Sequence, residues 1–252
     1  MKQPVPKILV RGSETELSAR ERMLELYRKS PIAEGEELMN IGLFVRGTIL
    51  AKILWLNELY EHIIPIPGVI MEFGVWWGAN LSLLANFRNV YEPYNWTRKV
   101  VGFDTFTGYS STSEKDGTSE YVKPGGYAVT PDYDRYLGEM LACHEADNVM
   151  PHLRKHELVK GNVMETVDKY LVENPQTIVA LAYFDLALYE PTKKCLEAIR
   201  PHLVKGSVLA MDELNSKEFP GETLAYRDVI GLDRFRIFRS RFFPDRSFAI
   251  VE

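Results

Sequence analysis

Short apolar runs alternate with amphipathic segments along most of this 252-residue chain. An apolar run of about four to eight residues, bounded by turn residues, is typical of a strand that is buried on both faces of a sheet. Five such runs predict parallel strands at 69–71, 100–103, 156–159, 177–188 and 207–211. The segments between them carry apolar residues at helical spacing. The pattern therefore predicts an α/β fold in which helices connect the strands of a parallel sheet.

Two helices are predicted before the first strand. Residues 13–30 begin with a capping box and carry a rough apolar stripe. Residues 38–63 are much more apolar, and so wide a stripe indicates a helix buried against the main domain or against a second subunit. We therefore divide the chain into a helical extension at 1–64, which serves as a lid or an oligomerisation surface, and a main domain at 65–252.

The last part of the chain alternates apolar and polar positions in 235–242 and again in 246–252. This alternation on either side of Pro244-Asp245 predicts an antiparallel β-hairpin. A polyanion site is one interpretation of its basic residues, but arginines in edge strands more often lie on the solvated face and discourage edge pairing. We expect the solvated face for Arg234, Arg236, Arg239, Arg241 and Arg246.

Composition narrows the class of protein. The formal net charge of −5 argues against nucleic acid or an anionic membrane as the main partner. A hydrophobic fraction of 46% is ample for a core, yet no apolar run approaches the roughly 20 residues that span a bilayer. Residues 1–16 lack the apolar stretch of a signal peptide, and Cys143 and Cys195 are expected to be reduced thiols. These features predict a soluble, cytoplasmic protein.

The stretch VIMEFGVWWGAN, residues 69–80, combines a strand, a glycine turn and the start of a helix. Glu72 ends the apolar run, and Gly74 and Gly78 bracket a turn where a backbone can approach a ligand closely. The turn has neither the Lys-Ser/Thr pair of a phosphate loop nor a G-x-G-x-x-G pattern. An acidic strand end suits an amino-bearing ligand better than a pyrophosphate. The alternative is an ordinary turn between a strand and a helix.

Other polar residues follow the next two strands. Asp104 ends the second strand, where a carboxylate commonly accepts hydrogen bonds from ribose hydroxyls, although it also suits a cap on the next turn. Asn162 and Val163 follow the third strand and pair one polar with one apolar side chain, as an adenine pocket requires. The long polar segment at 109–134 contains several tyrosines, and loops of this length are often functional lids.

Three acidic residues follow the two most apolar strands of the predicted sheet. Asp185 interrupts the run at 177–188, and Asp212 and Glu213 follow the run at 207–211. The carboxyl ends of parallel strands share one edge, so these oxygen donors converge without a basic partner. Such a set predicts a divalent-cation site that prefers Mg²⁺, Ca²⁺ or Mn²⁺. The alternative is that Glu213 points to solvent and Asp212 caps a loop.

Three motifs taken together resemble one family. MEFGVWWGAN is similar to the family pattern E-x-G-V-W-x-G-G, and FDTFTG is similar to D-S-F-x-G. FDLALYEPTKKCLEAIRPHLVKGSVLAMDE is similar to D-x-D-x-Y-x-x-T, followed by L, P-x-L, G-G and D-D. Over about residues 38–230 the chain resembles the macrocin O-methyltransferase-like (TylF/MycF/NovP type) enzymes, which methylate sugar hydroxyls in natural-product and antibiotic biosynthesis.

The resemblance implies a Rossmann-like class I methyltransferase fold, with a mostly parallel seven-stranded sheet, a C-terminal antiparallel hairpin and an N-terminal helical extension. It makes 65–252 the methyltransferase domain and S-adenosyl-L-methionine the methyl donor. The acceptor is a hydroxyl of a nucleotide-linked deoxysugar, such as a TDP-rhamnose-type sugar, or of a natural-product glycoside. The family also implies a homo-oligomer. The implied cofactor-binding residues are Glu72, Gly74, Val75, Trp76, Gly78, Ser82, Asp104, Thr105, Asn162 and Val163.

For the acceptor, the resemblance places Asp185, Asp212 and Glu213 on the family's metal-binding acids, with Mg²⁺ as the expected ion and Asp185 also as general base. The chain departs from the family pattern at four positions: Trp77 replaces an Arg, Ala79 a Gly, Ala187 an Asp and Glu213 an Asp. Two alternatives remain open at this point. One is a metal-dependent O-methyltransferase that acts on catechols or phenols, and the other is a catalytically silent scaffold that binds the cofactor.

Overall fold

The structure is a computed structural model that describes residues 12–252, so residues 1–11 of the predicted helical extension lie outside the described residues. It contains a seven-stranded sheet. The strands are β1 Val69–Phe73, β2 Val100–Asp104, β3 His156–Lys160, β4 Val179–Phe184, β5 Leu203–Met211, β6 Ile237–Arg239 and β7 Ser247–Ile250. Their order across the sheet is β3-β2-β1-β4-β5-β7-β6. Strands β1 to β5 pair in parallel and β5, β7 and β6 pair antiparallel, as the sequence predicts.

Helices cover both faces of this sheet. They are α1 Glu14–Arg28, α2 Gly47–Ile63, α3 Ala79–Tyr91, α4 Tyr133–Ala146, α5 Val163–Glu173, α6 Tyr189–Ile199 and α7 Gly221–Val229. In β1, Met71 and Phe73 pack in the core layer beneath α5, α6 and α7. Ile70 points the other way, into the layer formed with α2, α3 and α4. Each large apolar side chain buried in this way contributes about 1.5–3 kcal/mol. No helix among residues 12–252 is long and apolar enough to cross a membrane.

The helix predicted at 38–63 is too long at its start. Helix α2 begins only at Gly47, and the preceding residues form turns and one short 3₁₀ turn, Ile41–Leu43. Gly42 and Gly47 each disfavour a helix by about 1 kcal/mol relative to Ala. Leu38 and Met39 are exposed, so no packing within the chain offsets that cost. The same kind of correction applies to the predicted strand 177–188, which ends at Phe184 and continues as a loop.

Sheet order fixes where a ligand binds. The direction in which successive strands are added reverses between β1 and β4, and open α/β sheets bind ligands in the crevice outside the strand ends at such a point. The loops that follow β1, β2, β3, β4 and β5 all start from this edge. The hairpin of β6 and β7 lies next to β5 on the same sheet, which carries residues from the end of the chain to the crevice.

Candidate active site

A cavity of about 1640 Å³ opens at the carboxyl ends of the parallel strands. Its volume exceeds the 300–1,000 Å³ that is typical for a single small ligand, so it has room for two. Most of the predicted site residues line it: Gly74, Trp76, Asp104, Thr105, Asn162, Val163, Asp185, Asp212 and Glu213. Four predicted residues, Glu72, Val75, Gly78 and Ser82, lie beside or beneath the cavity wall and do not line it.

The turn after β1 is closely packed at both glycines. Gly74 has φ +90°, and a Cβ there would lie 2.1 Å from the carbonyl oxygen of Asp185. Gly78 has φ +75°, and a Cβ there would lie 2.4 Å from a methyl carbon of Leu137. Both positions therefore require glycine on conformational and steric grounds. The contact at Gly74 also shows that the glycine turn touches the loop that carries Asp185.

Asp104 organises this turn from the neighbouring strand. One oxygen, Oδ2, accepts hydrogen bonds from the backbone N–H groups of Val75 and Trp76, at 2.7 Å each. The other oxygen, Oδ1, accepts a hydrogen bond from Phe106 N–H at 2.6 Å. Asp104 therefore caps the next turn, which was the alternative role considered for it in the sequence analysis. A carboxylate has about four acceptor sites, so Asp104 retains capacity for a ligand hydroxyl. Its role at the ribose stays a prediction.

Several buried polar atoms lie close to the glycine turn. Glu72 is fully buried, and neither of its carboxylate oxygens has a hydrogen-bond partner within residues 12–252. The same is true of Trp76 Nε1 and Asn80 Oδ1. Burial, together with the negative charge of Asp185, raises the pKa of Glu72 well above its usual range. An ammonium group donates three hydrogen bonds and would suit the two Glu72 oxygens and Asn80 Oδ1, whereas Trp76 Nε1 is a donor and needs an acceptor.

Asn162 and Val163 lie where the third strand ends. Asn162 is the N-cap of α5, because its Oδ1 accepts from Met164 N–H at 3.1 Å. Val163 is buried, and both residues line the cavity next to Gly161. This pairing of a polar and an apolar side chain is what the sequence predicts for an adenine pocket, and the pocket itself stays a prediction.

The three predicted acids share one wall of the cavity. Burial and the neighbouring Asp212 raise the pKa of Asp185 to about 7, and the same two causes raise the pKa of Glu213 to about 8. Asp212 accepts a hydrogen bond from the buried Tyr183 hydroxyl at 2.7 Å. Carboxylates that raise one another's pKa in this way favour a cation between them.

Arg246 is a site residue that the sequence analysis placed wrongly. It precedes β7, and its Nε lies 2.5 Å from Asp212 Oδ1 in a largely buried ion pair. Its guanidinium also lies over the ring of Phe243, at 4.8 Å. The prediction of a solvated edge-strand arginine fails here because the antiparallel pairing of β7 with β5 places Ser247 opposite Met211. No local sequence pattern signals that pairing.

The predicted lid is a packed segment between β2 and α4. Tyr109, at its start, pairs with two interior residues through backbone hydrogen bonds, Tyr109 N–H to Gly126 O at 3.0 Å and Gly125 N–H to Tyr109 O at 2.8 Å. Tyr109 and Tyr127 line the cavity with ring centroids 5.5 Å apart. Trp76 meets Tyr127 edge to face, at 6.1 Å. The lid therefore presents aromatic rings to the glycine turn.

Comparison with known proteins identifies the family. No protein-family model and no curated protein matches the chain. Among solved structures, CalS11, a calicheamicin methyltransferase, is 42% identical over 99% of both chains with a TM-score of 0.93. Apo CalS11, described as a TDP-rhamnose 3'-O-methyltransferase of calicheamicin biosynthesis, gives 42% identity over 96% of both chains and a TM-score of 0.85.

The O-methyltransferase NovP shares the fold at 18% identity, with a TM-score of 0.59 over 80% of this chain and 79% of its own. The resemblance seen in the sequence motifs and the predicted α/β methyltransferase fold are thus both confirmed. Because its 42% identity to CalS11 extends over nearly the whole chain, the protein is an O-methyltransferase and belongs to the class I sugar O-methyltransferase family.

Proposed function

We propose that this enzyme transfers a methyl group from S-adenosyl-L-methionine to a hydroxyl of a nucleotide-linked deoxysugar. The observation that carries the proposal is the direct contact between the two halves of the cavity, where the Gly74 backbone packs on the carbonyl of Asp185. This contact brings a predicted cofactor loop against a predicted acceptor acid. CalS11 is a TDP-rhamnose 3'-O-methyltransferase, which supports a sugar nucleotide as the acceptor class.

The cofactor half fits an amino-acid-bearing nucleoside. Bound S-adenosylmethionine supplies an electrophilic methyl group on a sulfonium. Asp104 lines the cavity and has acceptor capacity left for ribose hydroxyls. Glu72 does not line the cavity, and we assign its unpaired carboxylate, just before the Gly74 turn, to the cofactor's ammonium group. Trp76 and Tyr127 present aromatic rings to the same space and exclude water from it.

The acceptor half supplies the base. A sugar hydroxyl is a poor nucleophile until it loses its proton, and we assign that proton to the carboxylate of Asp185. Before a cation binds, burial and Asp212 raise its pKa to about 7, which suits a proton acceptor near neutral pH, and a bound cation would lower that pKa. In-line transfer depends on orientation, which the rigid contact between the Gly74 turn and the Asp185 loop provides.

A divalent cation fits the chemistry of the donors. Asp185, Asp212 and Glu213 offer the carboxylate oxygens that Mg²⁺ prefers, and we propose that they hold it. Such an ion lowers the pKa of a coordinated hydroxyl. Residues 12–252 hold no group of three His, Cys, Asp or Glu side chains already arranged as a metal site. Arg246 forms an ion pair with Asp212 Oδ1, so a metal ion at this oxygen would compete with the arginine.

Cationic side chains in the cavity wall favour a phosphorylated acceptor over a neutral glycoside. Arg46, Lys217 and Arg239 line the same cavity as the acids. None of the three forms an ion pair with another residue in the described part of the chain. Arginine and lysine bind phosphate oxygens well. The diphosphate of a sugar nucleotide therefore has suitable partners in this cavity.

A substrate panel tests the proposal. Purified enzyme is mixed with labelled S-adenosylmethionine and, in separate reactions, a TDP-deoxysugar, a deoxysugar glycoside and a catechol. We expect methyl transfer to the TDP-deoxysugar and loss of transfer in EDTA that Mg²⁺ restores. Preferred transfer to the catechol would make this a phenol methyltransferase. Cofactor binding in calorimetry without methyl transfer to any acceptor would favour the scaffold alternative. Full turnover in EDTA would rule out a metal requirement.

A further inference from the structure

Glu222 links the two loops that carry the acceptor acids. It lies in the first turn of α7 and is fully buried. Its Oε1 accepts hydrogen bonds from the backbone N–H groups of Leu186 and Ala187, at 3.0 Å each. Its Oε2 accepts from the backbone N–H of Glu213 at 2.9 Å. One side chain thus bridges the loop after β4 and the loop after β5.

The sheet holds the acids only up to its edge. Asp185 N–H donates to Phe73 O at 2.8 Å, and Asp212 N–H donates to Phe184 O at 3.0 Å. The hydrogen bonds between neighbouring strands end there. At the next residues Glu222 holds the backbone instead, because it accepts hydrogen bonds from the two amides that follow Asp185 and from the amide of Glu213.

The backbone on either side of this bridge is closely packed. A Cβ at Gly221 would lie 2.5 Å from both Ala187 O and Tyr189 N, so the start of α7 rests directly on the loop after β4. Ala187 itself has φ +58°, a conformation that is rare for a residue other than glycine. Its hydrogen bond to Glu222 offsets part of the cost of that conformation.

A carboxylate is the group that this position requires. Three backbone N–H groups from two segments need an acceptor with two oxygens and no hydrogen to donate. Glutamine has one oxygen and would turn an amide N–H₂ towards one of the donors. Burial, together with the charges of Glu213 and Asp212, raises the pKa of Glu222 well above its usual range. The backbone N–H groups and the N-terminal turn of α7 are what favour the ionised carboxylate here.

We propose that Glu222 is a positioning residue that sets the separation of Asp185 from Asp212 and Glu213. The inference rests on the proposed function of those three acids. Glu222 does not line the cavity and so acts through the two loops. A misplacement of about 1 Å at a reacting group costs on the order of a hundredfold in rate, so the loss of this bridge has a kinetic consequence.

The test compares Glu222→Gln with Thr223→Ala. Thr223 lies on the same turn of α7, and its Oγ1 accepts from Asn215 N–H at 2.8 Å, a hydrogen bond to the loop after β5. We expect Glu222→Gln to lower kcat at least tenfold per cofactor-binding molecule while the Kd for S-adenosylmethionine stays within twofold. Thr223→Ala should stay within threefold of wild type in kcat.

Hydrogen exchange gives a readout that needs no acceptor. In Glu222→Gln, amide exchange at 186–187 and 213 should be at least tenfold faster, with the turn at 74–78 unchanged. A merely structural role would lower Tm and the number of binding sites, and would leave kcat per site unaltered. If Glu222→Gln has the kcat and the amide exchange rates of the wild type, the inference is wrong. Should Glu222→Gln not fold, Glu222→Asp keeps both oxygens on a shorter arm and is subject to the same criteria.

The two proposals fail differently. If the wild-type enzyme methylates no member of the acceptor panel, the proposed function is wrong. Exchange at 186–187 and 213 would still decide whether Glu222 holds the loops. If the wild type is active and Glu222→Gln equals it in kcat and in exchange, the inference alone is wrong.

Discussion

Carboxylates in this protein differ in function because their surroundings differ. Asp104 accepts three backbone hydrogen bonds and orders a turn. Asp185 lies among other acids, and its pKa is raised to about 7. Glu145 lies among cations, and its pKa is lowered to about 2. Burial alone raises the pKa of a carboxyl group, so the sign of the final shift identifies the neighbours.

Asp185 provides the most direct test of the chemistry. Replacing it with Asn keeps the size of the side chain and removes the base, so kcat should fall by about 10²–10⁴-fold. The Kd for S-adenosylmethionine should change little, because the cofactor half is built from the ends of β1, β2 and β3. Glu197→Gln, an exposed change on α6, is the control and should keep wild-type kcat. Unaltered turnover in Asp185→Asn would rule out a base at this position.

Glu145 supports a prediction about stability and pH. Although its burial raises the pKa, the close contacts with His156, Arg88 and Lys155 outweigh that effect and lower it from 4.5 to about 2. Arg88 Nη2 lies 2.7 Å and Lys155 Nζ 3.0 Å from its oxygens. Because the pKa is lower in the folded state, this stabilisation is complete above about 4.5 and is lost as the pH falls towards 2.

Glu145→Gln should therefore destabilise the protein by about 3–5 kcal/mol at pH 7, because it leaves buried cations without their partner. The variant should also show a flatter fall in stability between pH 4.5 and 2. Urea unfolding at a series of pH values measures both quantities. Glu139→Gln, an exposed change on the same helix, is the matched control. Equal unfolding free energies for Glu145→Gln and wild type at pH 7 would contradict the prediction.

At the scale of elements, the turn after β1 is the most constrained segment of the site. In Gly74→Ala, an L-residue at φ +90° would place its Cβ 2.1 Å from the backbone of Asp185. A left-handed conformation alone costs about 1–2 kcal/mol, and the clash adds to it. We expect a Tm lower by about 4 °C or more and at least a tenfold weaker Kd for S-adenosylmethionine.

The control for this prediction is Gly138→Ala on α4. A Cβ at Gly138 meets nothing within 4 Å, and Ala is the better helix former, so this change should raise the free energy of unfolding by about 0.5–1 kcal/mol. Scanning calorimetry and titration calorimetry measure the two effects separately. Wild-type Tm and affinity in Gly74→Ala would show that the turn is free to move away from the loop of Asp185.

The sequence allows prediction of the strands and of most of the cavity wall, because buried parallel strands appear as apolar runs and their ends share one edge. Asp185, Asp212 and Glu213 are examples. Residues that act across the fold are not predictable in this way. Glu222 binds amides 35 and 36 residues away, and Arg246 reaches Asp212 through an antiparallel strand pair. Neither contact leaves a periodic pattern in the chain.

For the molecule as a whole, the predicted helical extension lines part of the site. Arg46, Ile49 and Lys52 from the start of α2 line the same cavity as the acids. The hairpin is tied to this helix through Ser240 Oγ, which donates to Glu58 Oε2 at 2.8 Å. The cavity is therefore bounded by the sheet edge, the lid, the extension and the hairpin together, and a change in the extension is expected to alter ligand binding.

The extension also leaves apolar side chains uncovered, from which we predict self-association. Leu38 is 80%, Met39 86% and Leu43 69% exposed, in a segment that forms no regular helix. Contiguous exposed apolar residues mark interaction surfaces, and a second copy of the chain is the partner that the family resemblance implies.

Light scattering at micromolar concentration should give a mass of at least twice the 28.9 kDa of one chain. The double change Leu38→Glu and Met39→Glu should reduce it to one chain, because each introduced charge would have to be desolvated at the interface. Val172→Glu, at an equally exposed position on α5, should leave the wild-type mass unchanged. A wild-type mass of 28.9 kDa would show that the extension serves the site of its own chain alone.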